Sequence, residues 1–256
     1  MASGFRDRDV AAGGQGAPLV PAFHAQVFAT GHRRAVLNLG GIANFSLLPA
    51  HDDPHTPVTG FDCGPGNVLL DLWIQRHRGQ VHDEDGRWGA GGQVRPALLQ
   101  ALLDEPFLAL PPPKSTGRDL FHGPWLQARL TLAGLGDAAA QRQAAQDVQA
   151  TLAEFTAQTA ADALIRAWAP PHGAASGGDV LVCGGGAYNG DLMARLARRL
   201  PGIPVASTAT QGLPPLQVEA AAFAWLAGAL WHGLPGNRPE VTGARGLRVL
   251  GQWTPA

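Results

Sequence analysis

Tyrosine appears once in the 256 residues, methionine and cysteine twice each, and charged side chains make up only 15%. Two cysteines, Cys63 and Cys183, cannot form the disulfide framework of a small secreted domain. Both fall inside motifs, which suits a reducing cytoplasm. The net charge is −1 and no basic block appears, so neither nucleic acid nor an anionic membrane surface is favoured as a partner. The opening MASGFRDRDV carries charge at once and lacks an apolar core, so it does not read as a signal peptide. No apolar run is long enough for a confident membrane span. The most apolar segment, 216–231, is alanine-rich and contains Glu219, and a buried helix is the expectation there.

What the chain does have is apolar content, at 45%, together with 34 glycines and 21 prolines. This is the composition of a globular protein, sized for one domain or two small ones. The rest is organised around residues 36–74, VLNLGGIANFSLL followed by a polar break and GFDCGPGNVLLDLWI. Two apolar runs that turn at Gly40-Gly41 predict a hairpin, since glycine reaches positive φ without steric cost. Gly60-Phe61-Asp62 then reads as a strand ending on a lone acid, before a Cys-Gly-Pro-Gly-Asn bend in which no regular ladder continues. Asn67 predicts an N-cap, and 68–74 a buried helix. Such a bend aims turn and helix-start N–H groups at one point beside a carboxylate, an arrangement that attracts anions and phosphate above all. Each piece alone is ordinary architecture; their conjunction points to phosphate handling.

Elsewhere, Arg6, Asp7, Arg8 and Asp9 read as a solvated charged strand end, followed by a glycine–proline linker. The run His82-Asp83-Glu84-Asp85 reads as a solvated loop rather than a metal site, because no second cluster supports it. Lys114-Ser115-Thr116 is not a P-loop, since the preceding glycines are absent and three prolines stand before the lysine. Helices are predicted at 96–103, at 147–168 with Pro170-Pro171 as its stop, and at 217–231 with Gly233 past its end. A second strand-to-helix turn, VCGGGAYN, predicts a buried strand at 180–182, a close-approach loop at Gly184, Gly185 and Gly186, and an Asn189-capped helix.

NLGGIANFS, GFDCGPGN, PPPKSTGRDLF, VCGGGAYN and EAAAFAWLA occur in that order, and together they resemble the anhydro-N-acetylmuramic acid kinase family over essentially the whole chain. The resemblance implies an α/β, actin-like ATPase fold of the sugar kinase and ribonuclease H-like kind. It implies that 35–256 is mainly the C-terminal lobe and that 1–34 is a linker and remnant of an N-terminal lobe. The family's Gly-Thr-Ser-x-Asp-Gly phosphate loop has no counterpart here, and Gly4 stands where the family has Asp. The expectation is an N-terminally truncated member.

By the same resemblance the activity is ATP-dependent phosphorylation of 1,6-anhydro-N-acetylmuramic acid, with hydrolytic opening of the anhydro ring, during cytoplasmic peptidoglycan recycling. Asp62 matches the general base. Gly40, Gly41, Asn44, Gly64, Gly66 and Asn67 fall to the phosphates, and Gly184, Gly185 and Gly186 to the adenosine. Arg6, Lys114, Arg118 and Glu219 are candidate substrate contacts. For Arg6 a solvated end, and for Glu219 a favourable place in a helix first turn, are the competing readings. ATP and Mg²⁺ are the implied cofactors, an amino sugar the implied substrate, and a homodimer is compatible. Cys63 and Tyr188 replace the family's usual Thr and Arg. The alternative from another class is an inactive fragment that binds nucleotide weakly at most.

Overall fold

The computed structural model describes residues 1–53, 55–168 and 177–254. A five-stranded sheet is built from β1 (Arg34–Leu39), β2 (Ile42–Leu48), β3 (Thr59–Pro65), β4 (Asp179–Cys183) and β5 (Val205–Ser207), in the order β3-β2-β1-β4-β5. β2 alone runs against its neighbours, while β4 and β5 continue parallel to β1. The result is a mixed sheet in an α/β lobe, as the glycine-turned strand pairs separated by helices predict. The central strands β1 and β4 are buried nearly end to end, as strands covered on both faces must be.

One face carries the long helix α3 (Ala145–Trp168), which packs its buried alanine, leucine and phenylalanine stripe against β2, β3 and α2 (Val68–Arg78). Leu37, Phe45, Trp73, Leu102 and Phe155, each no more than 1% exposed, make the main core there. The opposite face is closed by α1 (Val20–Phe28) and α5 (Val218–Trp231). Phe23 and Phe28 meet Val36, Leu181, Val218 and Ala222 in a second cluster. α4 (Gly190–Arg199) follows β4 and is capped as expected, with Asn189 Oδ1 accepting from Leu192 N–H at 2.9 Å.

Several local expectations change. Asp7–Ala11 is a short helix, not a strand end, and Asp9 is fully buried. Its carboxylate accepts from Asn237 Nδ2 and Thr242 Oγ1 at 2.8 Å and from Gly16 N–H at 2.9 Å, so hydrogen bonds take the place of water. The glycine–proline linker gives way to α1, whose Pro21 fits the first turn. α5 is buried on one side only: Val218, Ala222, Leu226 and Ala229 face inward while Trp231 lies 72% exposed. The Pro170-Pro171 helix stop lies outside the described residues.

β3 runs on through the expected bend to Pro65. Ala43 pairs with Gly64 and Asn44 with Asp62, so Cys63 is the extra residue of a β-bulge. Gly64 sits there at φ +154°, where a Cβ would press on Thr159 of α3. A bulge re-aims the side chains beside it, and the residue beside it here is Asp62.

Candidate active site

The antiparallel half of the sheet sets a polar row along a cavity of about 500 Å³. Asn38 on β1 faces Asn44 on β2, which faces Asp62 on β3, and all three line the space. Asp62 Oδ2 accepts from the Ser115 hydroxyl at 3.0 Å and from Thr116 N–H at 2.8 Å, and its own N–H donates to the Lys114 carbonyl at 3.0 Å. Oδ1 has no protein donor among the described residues. Burial pushes the Asp62 carboxyl up, against the Thr116 and Ser115 hydrogen bonds and the Lys114 charge, which pull it down. A carboxylate pinned through one oxygen and open at the other, with raised basicity, is the geometry of a general base.

The glycine hairpin meets α2 differently from the expectation. The N–H groups of Gly66, Asn67 and Val68 do not converge on an empty point. They donate to the carbonyls of Gly41, Gly40 and Gly41, at 2.9, 2.8 and 3.1 Å. A Cβ on Gly66 would fall on the Gly40 carbonyl oxygen. Neither Gly40 nor Gly41 has positive φ; their role is close approach to the next turn. Asn67 makes no side-chain cap and instead donates from Nδ2 to the Leu39 carbonyl at 2.8 Å. Gly64 and Gly66 belong to this joint and line neither of the two cavities described here, whereas Gly40 lines the first.

Gly184 and Gly186 are packing positions, where a Cβ would press on Leu39. Gly184 also needs its φ of +79° to start the turn. Gly185 is open, and it lines both the first cavity and a second of about 640 Å³ reached by Asn67, Asp71 and Tyr188. Arg6 and Glu219, both exposed, line the first cavity. The two basic residues of the 114–118 loop go separate ways. Lys114 donates from Nζ to the Phe107 and Leu108 carbonyls at 3.1 Å each, while Arg118 brings its guanidinium beside Gly41.

Sequence reading missed Asn38, Ser115, Thr116, Asp71 and His24. Asn38 stands two residues before the double glycine, and Ser115-Thr116 lie inside the PPPKSTGRDLF motif; both are available signals. His24 is 2% exposed and lines the first cavity. Its Nδ1 lies 2.8 Å from Ser46 Oγ, Nε2 has no partner among the described residues, and burial pushes its pKa down to about 3.

A family model described as anhydro-N-acetylmuramic acid kinase matches residues 1–256. Proteins named anhydro-N-acetylmuramic acid kinase from Bordetella petrii and Pseudomonas fluorescens are 59% and 54% identical. Each aligns with 98% of this chain. The chain spans 63% and 65% of the length of those relatives. Among solved structures, the activator of 2-hydroxyisocaproyl-CoA dehydratase from Clostridium difficile with bound ADPNP aligns at a TM-score of 0.47 and 14% identity. The alignment covers 79% of this chain and 61% of that one.

Proposed function

The chain belongs to the anhydro-N-acetylmuramic acid kinase family, and on that footing we propose that it carries the general base and the nucleotide wall of an ATP-dependent kinase for 1,6-anhydro-N-acetylmuramic acid. The observation that carries this is Asp62: one oxygen held by Ser115 and Thr116, the other open to the cavity beside Asn44 and Gly40. Nothing in the comparisons favours an inert nucleotide-binding fragment.

In this reading Asp62 Oδ1 takes a proton from a water attacking the anomeric carbon. The bond from that carbon to the anhydro oxygen breaks, and the freed oxygen attacks the γ-phosphorus of ATP, releasing ADP. The product is N-acetylmuramic acid 6-phosphate, as peptidoglycan recycling requires. Asn44 and the Gly40–Gly41 backbone face the transferring phosphoryl group, where positioned donors stabilise developing charge. Arg118 beside Gly41 adds a cation. Arg6 and Glu219 stand at the sugar side.

The nucleoside runs along Gly185, whose lack of a side chain leaves room for it. Among the described residues no three His, Cys, Asp or Glu side chains are grouped to hold a metal. A Mg²⁺ ion carried by the ATP phosphates would supply neutralisation of the charge on the transferring phosphoryl group. We assign residues 35–256 to the C-terminal lobe of the ATPase and 1–34 to the segment leading into it; the sheet opens at Arg34 and both glycine turns follow it. Two buried free cysteines support a reducing, cytoplasmic setting.

The test is to incubate the protein with ATP and the anhydro sugar and weigh the product. The reading requires a sugar heavier by one phosphoryl group and one water, formed with equal ADP. A sugar that gains neither, under conditions where ATP binds, ends it.

A further inference from the structure

We infer that Asp71 is the acceptor for the ribose hydroxyls of the bound nucleotide, an assignment that rests on the kinase reading above and adds to it the residue that selects a ribonucleotide. Asp71 lies one turn into α2, after Asn67, and lines the second cavity together with Gly185. Four acids line that space, and two are already committed. Asp83 accepts from Trp88 and Gly89 N–H at 3.0 and 2.8 Å, and Asp85 accepts from Gly190 N–H at 3.1 Å and faces Arg87 at 3.6 Å. Glu84 is exposed. Asp71 is half-buried, and among the described residues its carboxylate has neither a hydrogen-bond donor nor an ion-pair partner within reach.

A partly desolvated carboxylate without a donor costs stability unless a ligand supplies one. The phosphates cannot, because they carry the same charge. The part of a nucleotide next to its phosphates that offers donors is the ribose, with two adjacent hydroxyls suited to one carboxylate. Asn67, one turn earlier, contacts the hairpin that handles phosphate, so the order Asn67 then Asp71 along α2 matches phosphate then ribose. The same cavity is also lined by Leu70, Val81, Leu216 and the aromatic Tyr188, apolar surface that suits the flat base. Burial holds the Asp71 carboxyl up at about 6, against His82 and Arg118, as expected of an acceptor waiting for donors.

Calorimetric titration of the protein and of Asp71→Asn with ADP and with 2′,3′-dideoxy-ADP tests this. The unmodified protein should bind ADP about 10- to 100-fold tighter than the dideoxy analogue, the span of hydrogen bonds to a charged group. Asp71→Asn should lose about tenfold for ADP, little for the analogue, and most of the discrimination. Asp71→Glu, which keeps the charge one methylene further out, should discriminate better than Asp71→Asn. If ADP binds but Asp71→Asn discriminates as well as the unmodified protein, the assignment to Asp71 fails while the kinase reading stands. If ADP does not bind the unmodified protein at all, both fall.

Discussion

Asn44 and Asp62 are ladder partners at the one place where β2 and β3 slip out of register, with Cys63 bulged out beside them. The slip turns a carboxamide and a carboxylate toward the same cavity, with Asn38 next in line. Because Asn keeps the shape and can still accept from Ser115 and Thr116, Asp62→Asn should fold with an unchanged melting temperature and bind ADP normally. It cannot take a proton, so phosphorylation of the anhydro sugar should fall by about 10²–10⁴-fold. Turnover near that of the unmodified protein, in a folded Asp62→Asn sample, removes Asp62 from the proton-transfer role.

His24 predicts an acid limb. Its folded pKa of about 3 lies below that of an unfolded histidine. Between roughly pH 6.5 and 3 the unfolded chain therefore binds a proton that the native state does not. Stability then falls as pH drops through that window, by up to about 1.4 kcal/mol per pH unit, and is unaffected by His24 above it. His24→Gln can keep a hydrogen bond to Ser46 and does not titrate. Its denaturation midpoint should lose less than that of the unmodified protein between pH 6.5 and 4.5. Equal slopes in both proteins dismiss His24 as the cause.

Cys63 and Cys183 are free, buried and pushed up to about 12 by that burial. Since the thiolate is the reactive form, both should be silent toward a thiol reagent in the native protein, and both should react in denaturant. Cys63 donates weakly to the Ala43 carbonyl at 3.3 Å. Rapid labelling of either thiol without denaturant contradicts the packing around the bulge.

Strands β1 to β4 and helices α2 to α5 were legible because their signals are local: apolar runs, glycine turns and the Asn189 cap; α1, hidden in a glycine–proline stretch, and the three-residue β5 were not. The motif order carried the family. What stayed hidden depends on partners far along the chain. Asp9 looks solvated in sequence because Asn237 and Thr242, which satisfy it, come more than two hundred residues later. The helix-start N–H groups look free until the hairpin carbonyls close on them. The glycines looked alike in sequence, yet each answers to a different neighbour.

That difference among the glycines can be measured. At Gly186 a new Cβ would stand 2.5 Å from Leu39 Cβ and 3.1 Å from Asn67 Oδ1, so β1 or α2 must give way. Overpacking of that kind costs about 1–3 kcal/mol, and Gly186→Ala should melt several degrees lower. At Gly185 the nearest atom to a new Cβ is Asn67 Nδ2 at 3.7 Å and φ is not positive, so Gly185→Ala should hold its stability within about 0.5 kcal/mol. Its methyl group instead protrudes from the wall shared by the two cavities, and ADP affinity should drop at least several-fold. Thermal melts and ADP titrations on both variants separate the roles. A Gly185→Ala protein that binds ADP normally takes Gly185 out of the nucleotide wall, and a Gly186→Ala protein as stable as the unmodified one shows that the turn has slack this packing denies it.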